Sequence, residues 1–328
     1  MKEIETTVEE LLNIFEKQKS GVKKLLEGSL QQQVELFCTK GNIYGIRKRQ
    51  WALFIEDIKD RKGNSFENAY AKYDENKDVI IITDELYKNL FLSFTLLEYE
   101  FDRAFWMAQL ALIFCITHEL THLYAGHCQL CKDNKLGIIY NSKTKISYLE
   151  HQAMEKEADY IASCRVADLV GETLRSGAYT TVFNYKNRET FYNDAIRAIC
   201  IFFYYVKNIG KEKNININTI THPPSFFRCC WSVIGFMTHY GTFFENDKTD
   251  IFLNSFFKNI MDKETIYGEP LLGEIFNFNI LIKYTDLLDN VWAEKLKKKV
   301  MATRRLPYLD DFLSHYKVTF EDYVYKKL

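Results

Sequence analysis

Two histidines and a glutamate lie close together in the segment His-Glu-Leu-Thr-His at residues 118–122. On an α-helix, residues four apart lie on one face, so the imidazoles of His118 and His122 could bind one metal ion. Glu119 is rotated by about 100° around the axis, because one helical turn takes about 3.6 residues. Its carboxylate could therefore reach a metal-bound water without binding the metal. This spacing is typical of a zinc hydrolase in which the glutamate is the general base.

The residues around this motif have the pattern of one long, buried helix. Asp102 is the expected N-cap, and Gly126 is expected to end the helix in the left-handed conformation. The first half of the segment is apolar on almost every side, which predicts burial all round. Imidazoles and a carboxylate inside such a helix would be costly without partners, and a metal ion removes that cost. The alternative is a pair of hydrogen-bonded core histidines.

A third metal ligand is expected on the next strong helical segment, at residues 149–163. Glu155 and Asp159 are four residues apart there and share one face. One of them could bind the metal while the other accepts a hydrogen bond from the free ring N–H of a ligating histidine. Glu150 and Glu157 are alternatives that the spacing does not exclude.

The segment Thr221-His-Pro-Pro is conspicuous because the chain has only four prolines. Two consecutive prolines fix an extended backbone next to His222. They favour a rigid support for a polar side chain, and the common alternative is a simple loop ahead of a helix.

A cysteine cluster follows the metal motif in Gly-His-Cys-Gln-Leu-Cys, residues 126–131. His127, Cys128 and Cys131 could form a second zinc site, completed by Cys229 or Cys230. The chain has no second Cys-x-x-Cys pair, so structural or free thiols are favoured over a metal.

Length and composition indicate a globular protein with a large core. The chain has 328 residues, 47% of them hydrophobic, and a formal net charge of −1. This charge argues against nucleic acid or an acidic membrane surface as the main partner. The charged N-terminus does not resemble a signal peptide, and the longest apolar run, Ala104 to Ile116, is short for a membrane span. We expect a cytoplasmic protein without a membrane span, of undetermined oligomeric state.

The remaining patterns predict an α+β, mostly helical fold. Residues 6–37 favour two helices with a break at Ser20-Gly21. Residues 66–83 predict a hairpin whose second strand is β-branched. That strand could be an ordinary core strand or an edge strand that a substrate peptide extends; its residues are Val79, Ile80, Ile81, Ile82 and Thr83.

We expect three regions along the chain. Residues 1–62 would be a helical N-terminal support, residues 63–240 a catalytic core, and residues 241–328 a helical region packed on that core. All three could also form one continuous domain.

Three motifs, in their order along the chain, resemble the catalytic core of the CAAX-prenyl-protease and HtpX-type gluzincins. They are His-Glu-Leu-Thr-His followed by Gly-His, then Glu155-Lys-Glu-Ala-Asp159, then Thr-His222-Pro-Pro-x-x-x-Arg228. The segment Asn68-Ala-Tyr is similar to the Asn-Ala-Phe edge strand of that group. The membrane members have spanning helices that are not predicted here. Soluble relatives with this active site include the phage-exclusion protease Lit and small repressor-cleaving proteases of mobile elements, so a Lit-like host-defence or regulatory protease is expected by analogy.

This resemblance implies a zincin-like metallopeptidase core with a small antiparallel sheet and added N- and C-terminal helices. It implies one catalytic Zn²⁺ bound by His118, His122 and Glu155. Glu119 would be the general base, and Asp159 would hydrogen-bond to a ligating histidine.

The resemblance also places His222 near the reacting carbonyl and gives Arg228 the role of anchoring the loop that carries His222. The implied activity is hydrolysis of peptide bonds in an intracellular protein or peptide substrate, in a regulatory or phage-defence setting. Two alternatives are a zinc-binding sensor or interaction module without catalysis, and a helical interaction protein whose histidines are ordinary core residues.

Overall fold

The computed structural model describes residues 8–42, 50–59, 62–63, 69–73, 77–97, 100–133, 146–181, 183–203, 222–244, 265–266, 269–270 and 278–301. Most of these residues are helical, as predicted. The first half contains α1 (Val8–Asn42), β1 (Gln50–Glu56), β2 (Ala69–Tyr73), β3 (Lys77–Thr83), α2 (Asp84–Leu97), α3 (Phe101–Tyr124) and α4 (His127–Asp133). The second half contains α5 (Tyr148–Ser176), α6 (Ala178–Thr181), α7 (Arg188–Ile201), α8 (Ser225–Phe244), β4 (Thr265–Ile266), β5 (Glu269–Pro270), α9 (Phe278–Val291), a π-helical turn (Trp292–Leu296) and α10 (Lys297–Met301).

The main sheet has the strand order β1-β3-β2. β2 and β3 form the predicted antiparallel hairpin, in which Ala71 is opposite Ile80. β1 pairs in parallel with the other side of β3, with Leu53 opposite Ile80. The sheet is therefore mixed, and the prediction of a purely antiparallel sheet is wrong. Because β1 and β3 pair, the predicted regions 1–62 and 63–240 share one sheet.

The position of β3 also corrects the predicted substrate strand. β3 has a neighbour on each side, so it is a central strand and offers no free edge. The prediction fails because residues 50–56, expected in a helical support, form a third strand. The predicted substrate edge strand consisted of Val79, Ile80, Ile81, Ile82 and Thr83. In the part of the chain that the structure describes, the edge nearest to α3 and α4 belongs to β2.

Helix α1 is continuous over 35 residues, so the predicted break at Ser20-Gly21 is wrong. A glycine inside a helix costs about 1 kcal/mol relative to alanine. Burial of an apolar stripe outweighs this cost, because each fully buried large side chain contributes about 1.5–3 kcal/mol. The stripe consists of Leu11, Phe15, Val22, Leu26, Leu30 and Val34.

Helix α3 is the central element of the core and carries the metal motif. It begins at Phe101 after Glu100, so Asp102 is not its N-cap as predicted. Every residue from Trp106 to His118 is buried, against α2, α5 and α7. The helix ends at Tyr124, and Gly126 has a φ of 84°, which confirms the predicted left-handed glycine.

Among the described residues, α3 is also the one helix long and apolar enough to cross a bilayer by length and composition. Within the protein, 89% of its most apolar window is buried. Such burial is what the central helix of a globular core shows.

Helix α5 packs between α3 and α8 and is bordered by the C-terminal helices. It starts with a capping box in which Ser147 and Glu150 each accept a backbone N–H of the other. Lys156 forms an ion pair with Asp289 of α9 at 2.6 Å. The Tyr284 hydroxyl donates to Gln152. Residues 278–301 thus pack on α5, and residues 302–328 lie outside the described chain.

Candidate metal centre

Three side chains from α3 and α5 converge at one point between these helices. His118 and His122 lie one turn apart on α3, and Glu155 faces them from α5. Their ligand-type atoms all lie within 4.8 Å of one another, and no other group of this kind occurs among the described residues. The structure therefore brings together the three residues that were predicted to bind one metal ion.

The distances in this cluster fit a tetrahedral metal ion. Zinc binds imidazole nitrogen and carboxylate oxygen at about 2.0–2.2 Å, so two ligand atoms of a tetrahedral site lie about 3.3 Å apart. Here His118 Nε2 lies 3.0 Å from His122 Nε2. Glu155 Oε2 lies 3.3 Å from His118 Nε2, and Glu155 Oε1 lies 3.3 Å from His122 Nε2. A cation of zinc's size would fit between the two nitrogens and the carboxylate.

One atom of the cluster lacks a hydrogen bond. Glu155 Oε2 is buried and accepts none, although Arg228 Nη2 lies 3.2 Å away. Its neighbours Arg228 Nη2 and His118 Nε2, the latter at 3.3 Å, form no hydrogen bond of regular geometry with it, so coordination of a cation would satisfy this buried oxygen better. Burial raises the pKa of Glu155, but the charges of His222, His122 and Arg228 hold it well below its usual value. Glu155 is therefore an ionised, available ligand.

Asp159 supports the cluster from behind and is fully buried. It accepts two hydrogen bonds from Arg228, from Nε at 2.7 Å and from Nη2 at 2.8 Å. Its Oδ1 also lies 2.9 Å from His118 Nδ1. The two atoms are close, but their orientation does not give a regular hydrogen bond. The Asp159 carboxylate already accepts two N–H groups from Arg228, so it is an acceptor for His118 as well. The proton of the neutral His118 ring is therefore expected on Nδ1. His118 Nε2 is then the nitrogen with a lone pair facing the cluster.

The two carboxylates control the charge of this region. Burial lowers the pKa of His118, but Asp159 and Glu155 raise it to about 9. Burial also raises the pKa of Asp159, and the Arg228 and His118 charges lower it below its usual value. The carboxylates thus favour a positive charge at the position of the His118 ring, as they would favour a bound cation.

His222 lies at the solvent side of the cluster. Its side chain is 49% exposed, and Nε2 is 3.6 Å from Glu155 Oε1. The two prolines after it lead directly into α8, where Arg228 N donates to Pro224 O at 3.2 Å. Arg228 thus joins Asp159 to the first turn of the helix that follows His222; the anchoring role expected for it stays a prediction.

Glu119 is half-buried beside the cluster. Burial lowers the pKa of the Arg228 guanidinium, but Asp159, Glu155 and Glu119 raise it above its ordinary value. The Glu119 carboxylate therefore lies within electrostatic range of the centre, next in sequence to His118.

The two rival carboxylates have other partners. Glu150 caps α5 and pairs with Lys299 at 2.7 Å. Glu157 is buried, and its Oε2 lies 3.0 Å from His127 Nε2. Trp292 donates to the same oxygen at 3.1 Å. Neither Glu150 nor Glu157 belongs to the candidate metal cluster.

The structure does not group His127 with the neighbouring cysteines as metal ligands. Among the described residues, the one cluster of metal-binding type is that of His118, His122 and Glu155. His127 Nδ1 lies 3.0 Å from His122 Nδ1. The cysteines of the described residues form no disulfide; they are Cys115, Cys128, Cys131, Cys164, Cys200, Cys229 and Cys230.

The contact of Trp292 with Glu157 was not predicted. The two residues are 135 positions apart, so no local spacing could show it. The sequence does indicate that His127 lies close to His122, because His127 follows the glycine expected to end the helix that carries His122.

Comparisons of the chain with protein-family models, with curated proteins and with solved structures found no match.

Proposed function

We propose that the chain is a zinc-dependent metalloendopeptidase of the gluzincin type. The observation that carries this proposal is the convergence of His118 Nε2, His122 Nε2 and the Glu155 carboxylate within 3.0–3.3 Å. Two histidines four residues apart on one helix and a glutamate from a second helix are a typical three-ligand set of a catalytic zinc site. The helix pair α3 and α5, with the adjacent sheet, would then be a zincin-like core.

The neighbouring side chains have the chemistry that peptide hydrolysis requires. Bound zinc would supply a Lewis acid and lower the pKa of a water to about 7. Glu119 would accept a proton from the attacking water and transfer it to the departing amine. His222, exposed at the mouth of the centre, would donate a hydrogen bond to the developing oxyanion. Asp159 and Arg228 would hold the His118 ring in place.

Metal analysis tests the first part of this proposal. We expect about one equivalent of zinc per purified chain, and less than about a tenth in a His118→Gln variant, which lacks a ligand. Chelation should remove both zinc and peptidase activity, and added zinc should restore them. His239→Gln is the matched control, because His239 is a buried histidine of α8 that pairs with Asp168 at 2.7 Å, outside the cluster.

The results separate the three functional hypotheses. Zinc-free wild-type protein would support a helical interaction protein. Zinc-loaded protein that cleaves nothing in a peptide library or a cell lysate would support a zinc-binding module without catalysis. Chelator-sensitive cleavage would support the peptidase.

We propose further that the substrate binds as an extended strand along β2. β2 is the edge strand that packs against α3 and α4, so an added strand there would lie beside the metal motif. An extended peptide added to a sheet edge forms main-chain hydrogen bonds with alternate residues.

Backbone methylation of a cleaved peptide tests this orientation. A single N-methyl group at any one of the alternate positions that face β2 should raise KM about 5–15-fold, because it removes one hydrogen bond of about 1–1.5 kcal/mol. Methylation at the intervening positions should have little effect. Uniform tolerance of N-methyl groups, measured by steady-state kinetics, would contradict binding along β2.

A further inference from the structure

Four side chains form a chain of close contacts that leads away from the candidate metal centre. His122 Nδ1 lies 3.0 Å from His127 Nδ1. His127 Nε2 lies 3.0 Å from Glu157 Oε2, and Trp292 Nε1 donates to that same oxygen at 3.1 Å. His127 is 1% exposed and Glu157 is 4% exposed, so water does not compete freely for these contacts.

The proton positions along this chain follow from the chemistry of its outer end. An indole N–H is a donor only, so Glu157 Oε2 is an acceptor. The His127 Nε2 that faces the same oxygen must then carry a proton. A neutral imidazole with a proton on Nε2 has its lone pair on Nδ1, so His127 Nδ1 accepts a hydrogen bond from His122 Nδ1–H. The remaining His122 nitrogen, Nε2, presents its lone pair to His118 Nε2 and Glu155.

The chain must bend for His127 to reach His122. On a straight helix, residues five apart are about 140° apart around the axis, so their side chains diverge. The bend occurs at Gly126, whose φ of 84° is in the left-handed region that favours glycine. His127 is therefore the first residue of α4, and its ring lies 5.0 Å from that of His122.

We infer that His127 and Glu157, held by Trp292, are positioning residues that fix the proton of His122 on Nδ1 and direct Nε2 toward the metal. This inference rests on the proposed metal site. It also explains why His127 does not join Cys128 and Cys131 in a second site, since both of its ring nitrogens already face other side chains.

The same contacts connect the C-terminal region to the centre. Trp292 begins the π-helical turn, and Lys297 lies over its ring at 5.8 Å. π-Helical turns are uncommon, and they occur frequently at functional sites. Through Glu157, this turn supports the orientation of a candidate ligand on α3.

Two substitutions of His127 separate the two hydrogen bonds. In His127→Asn, the amide can place its oxygen near the Nδ1 position and accept from His122. In His127→Gln, the amide is near the Nε2 position, and His122 loses its acceptor. Loss of an outer hydrogen bond to a ligating histidine typically weakens metal affinity by about 10–100-fold. We expect this loss in His127→Gln and a smaller loss in His127→Asn, measured as zinc dissociation constants by chelator competition on the full chain.

A pair of tryptophan variants provides a control for packing. Trp292→Phe removes the donor to Glu157, and we expect zinc affinity to fall in the same direction as in His127→Gln. Trp231→Phe removes a buried donor to Thr285 that is outside these contacts, and it should leave zinc affinity unchanged. If the role of His127 were purely structural, zinc affinity would be the same in His127→Gln and His127→Asn. It would also be the same in Trp292→Phe and Trp231→Phe.

The wild-type protein supplies a test that needs no substitution. In the zinc-loaded chain labelled with ¹⁵N-histidine, His122 should be protonated on Nδ1. Protonation on Nε2, or wild-type zinc affinity in both His127→Gln and Trp292→Phe, would overturn the inference while the proposed peptidase stands. Wild-type protein that binds no zinc would overturn both.

Discussion

Replacing Glu119 by glutamine should lower peptide hydrolysis by about 10²–10⁴-fold, the usual contribution of a general base. Glutamine has nearly the same shape but cannot accept the proton from the attacking water. Because Glu119 does not belong to the cluster of His118, His122 and Glu155, the variant should retain about one zinc per chain. Steady-state kinetics and metal analysis of the same sample would check both parts.

The matched control is Glu172→Gln, the same chemical change on an exposed turn of α5, where Glu172 pairs with Arg175 at 2.7 Å. This variant should keep wild-type activity. If Glu119→Gln also kept full activity, the proposed mechanism would be wrong. If it lost zinc as well as activity, Glu119 would have a role in metal binding.

An inactive variant that keeps its metal can also trap substrates. When Glu119→Gln protein is expressed in cells, bound substrates should co-purify because they are not cleaved. One dominant protein would indicate a dedicated regulatory or defence protease, whereas a broad mixture would indicate quality control.

Replacing Arg228 by methionine should lower the free energy of unfolding by about 3–5 kcal/mol, because it leaves a buried carboxylate uncompensated. Arg228 is 6% exposed and Asp159 is fully buried, and two hydrogen bonds join them. Zinc affinity should also fall, because Asp159 would no longer be held against His118. Urea unfolding of the zinc-free chain and chelator competition measure the two effects.

A second substitution separates the buried charge from the metal. In Arg228→Met with Asp159→Leu, the Asp159 charge is removed together with its partner, and Glu155 still faces His118, His122 and His222. Most of the stability should therefore return while zinc affinity stays low. Arg175→Met is the control, because the side chains of Arg175 and its partner Glu172 are 60% and 64% exposed and such pairs contribute about 1 kcal/mol or less. A loss as small as this in Arg228→Met would show that the Asp159 charge does not need the guanidinium.

The candidate metal ligands were predictable because local spacing determines their geometry. His118 and His122 share a helical face in any regular helix, and Glu155 and Asp159 do so on the next one. An apolar segment that contains such polar residues predicts a buried site with partners. The contact between α3 and α5 then brings the two faces together.

The error about β3 and the missed contacts of Glu157 concern distant parts of the chain. Residues 50–56 are a short apolar run, and such runs do not distinguish a strand from a helix. Without β1, the sequence could not show that β3 is central. The roles of Glu157 and Trp292 were hidden for a similar reason, since acidic residues in helices are usually solvated and the partner lies in another region.

The parallel pairing of β1 with β3 affects how the chain can be divided. A fragment of residues 63–240 would contain the whole candidate metal centre but not β1 (Gln50–Glu56). The strand from Val79 to Thr83 would then have one unsatisfied row of backbone N–H and C=O groups, flanked by isoleucines. Such an edge is a template for aggregation between molecules. The smallest fragment suited to recombinant expression therefore includes β1, far in sequence from the candidate metal ligands.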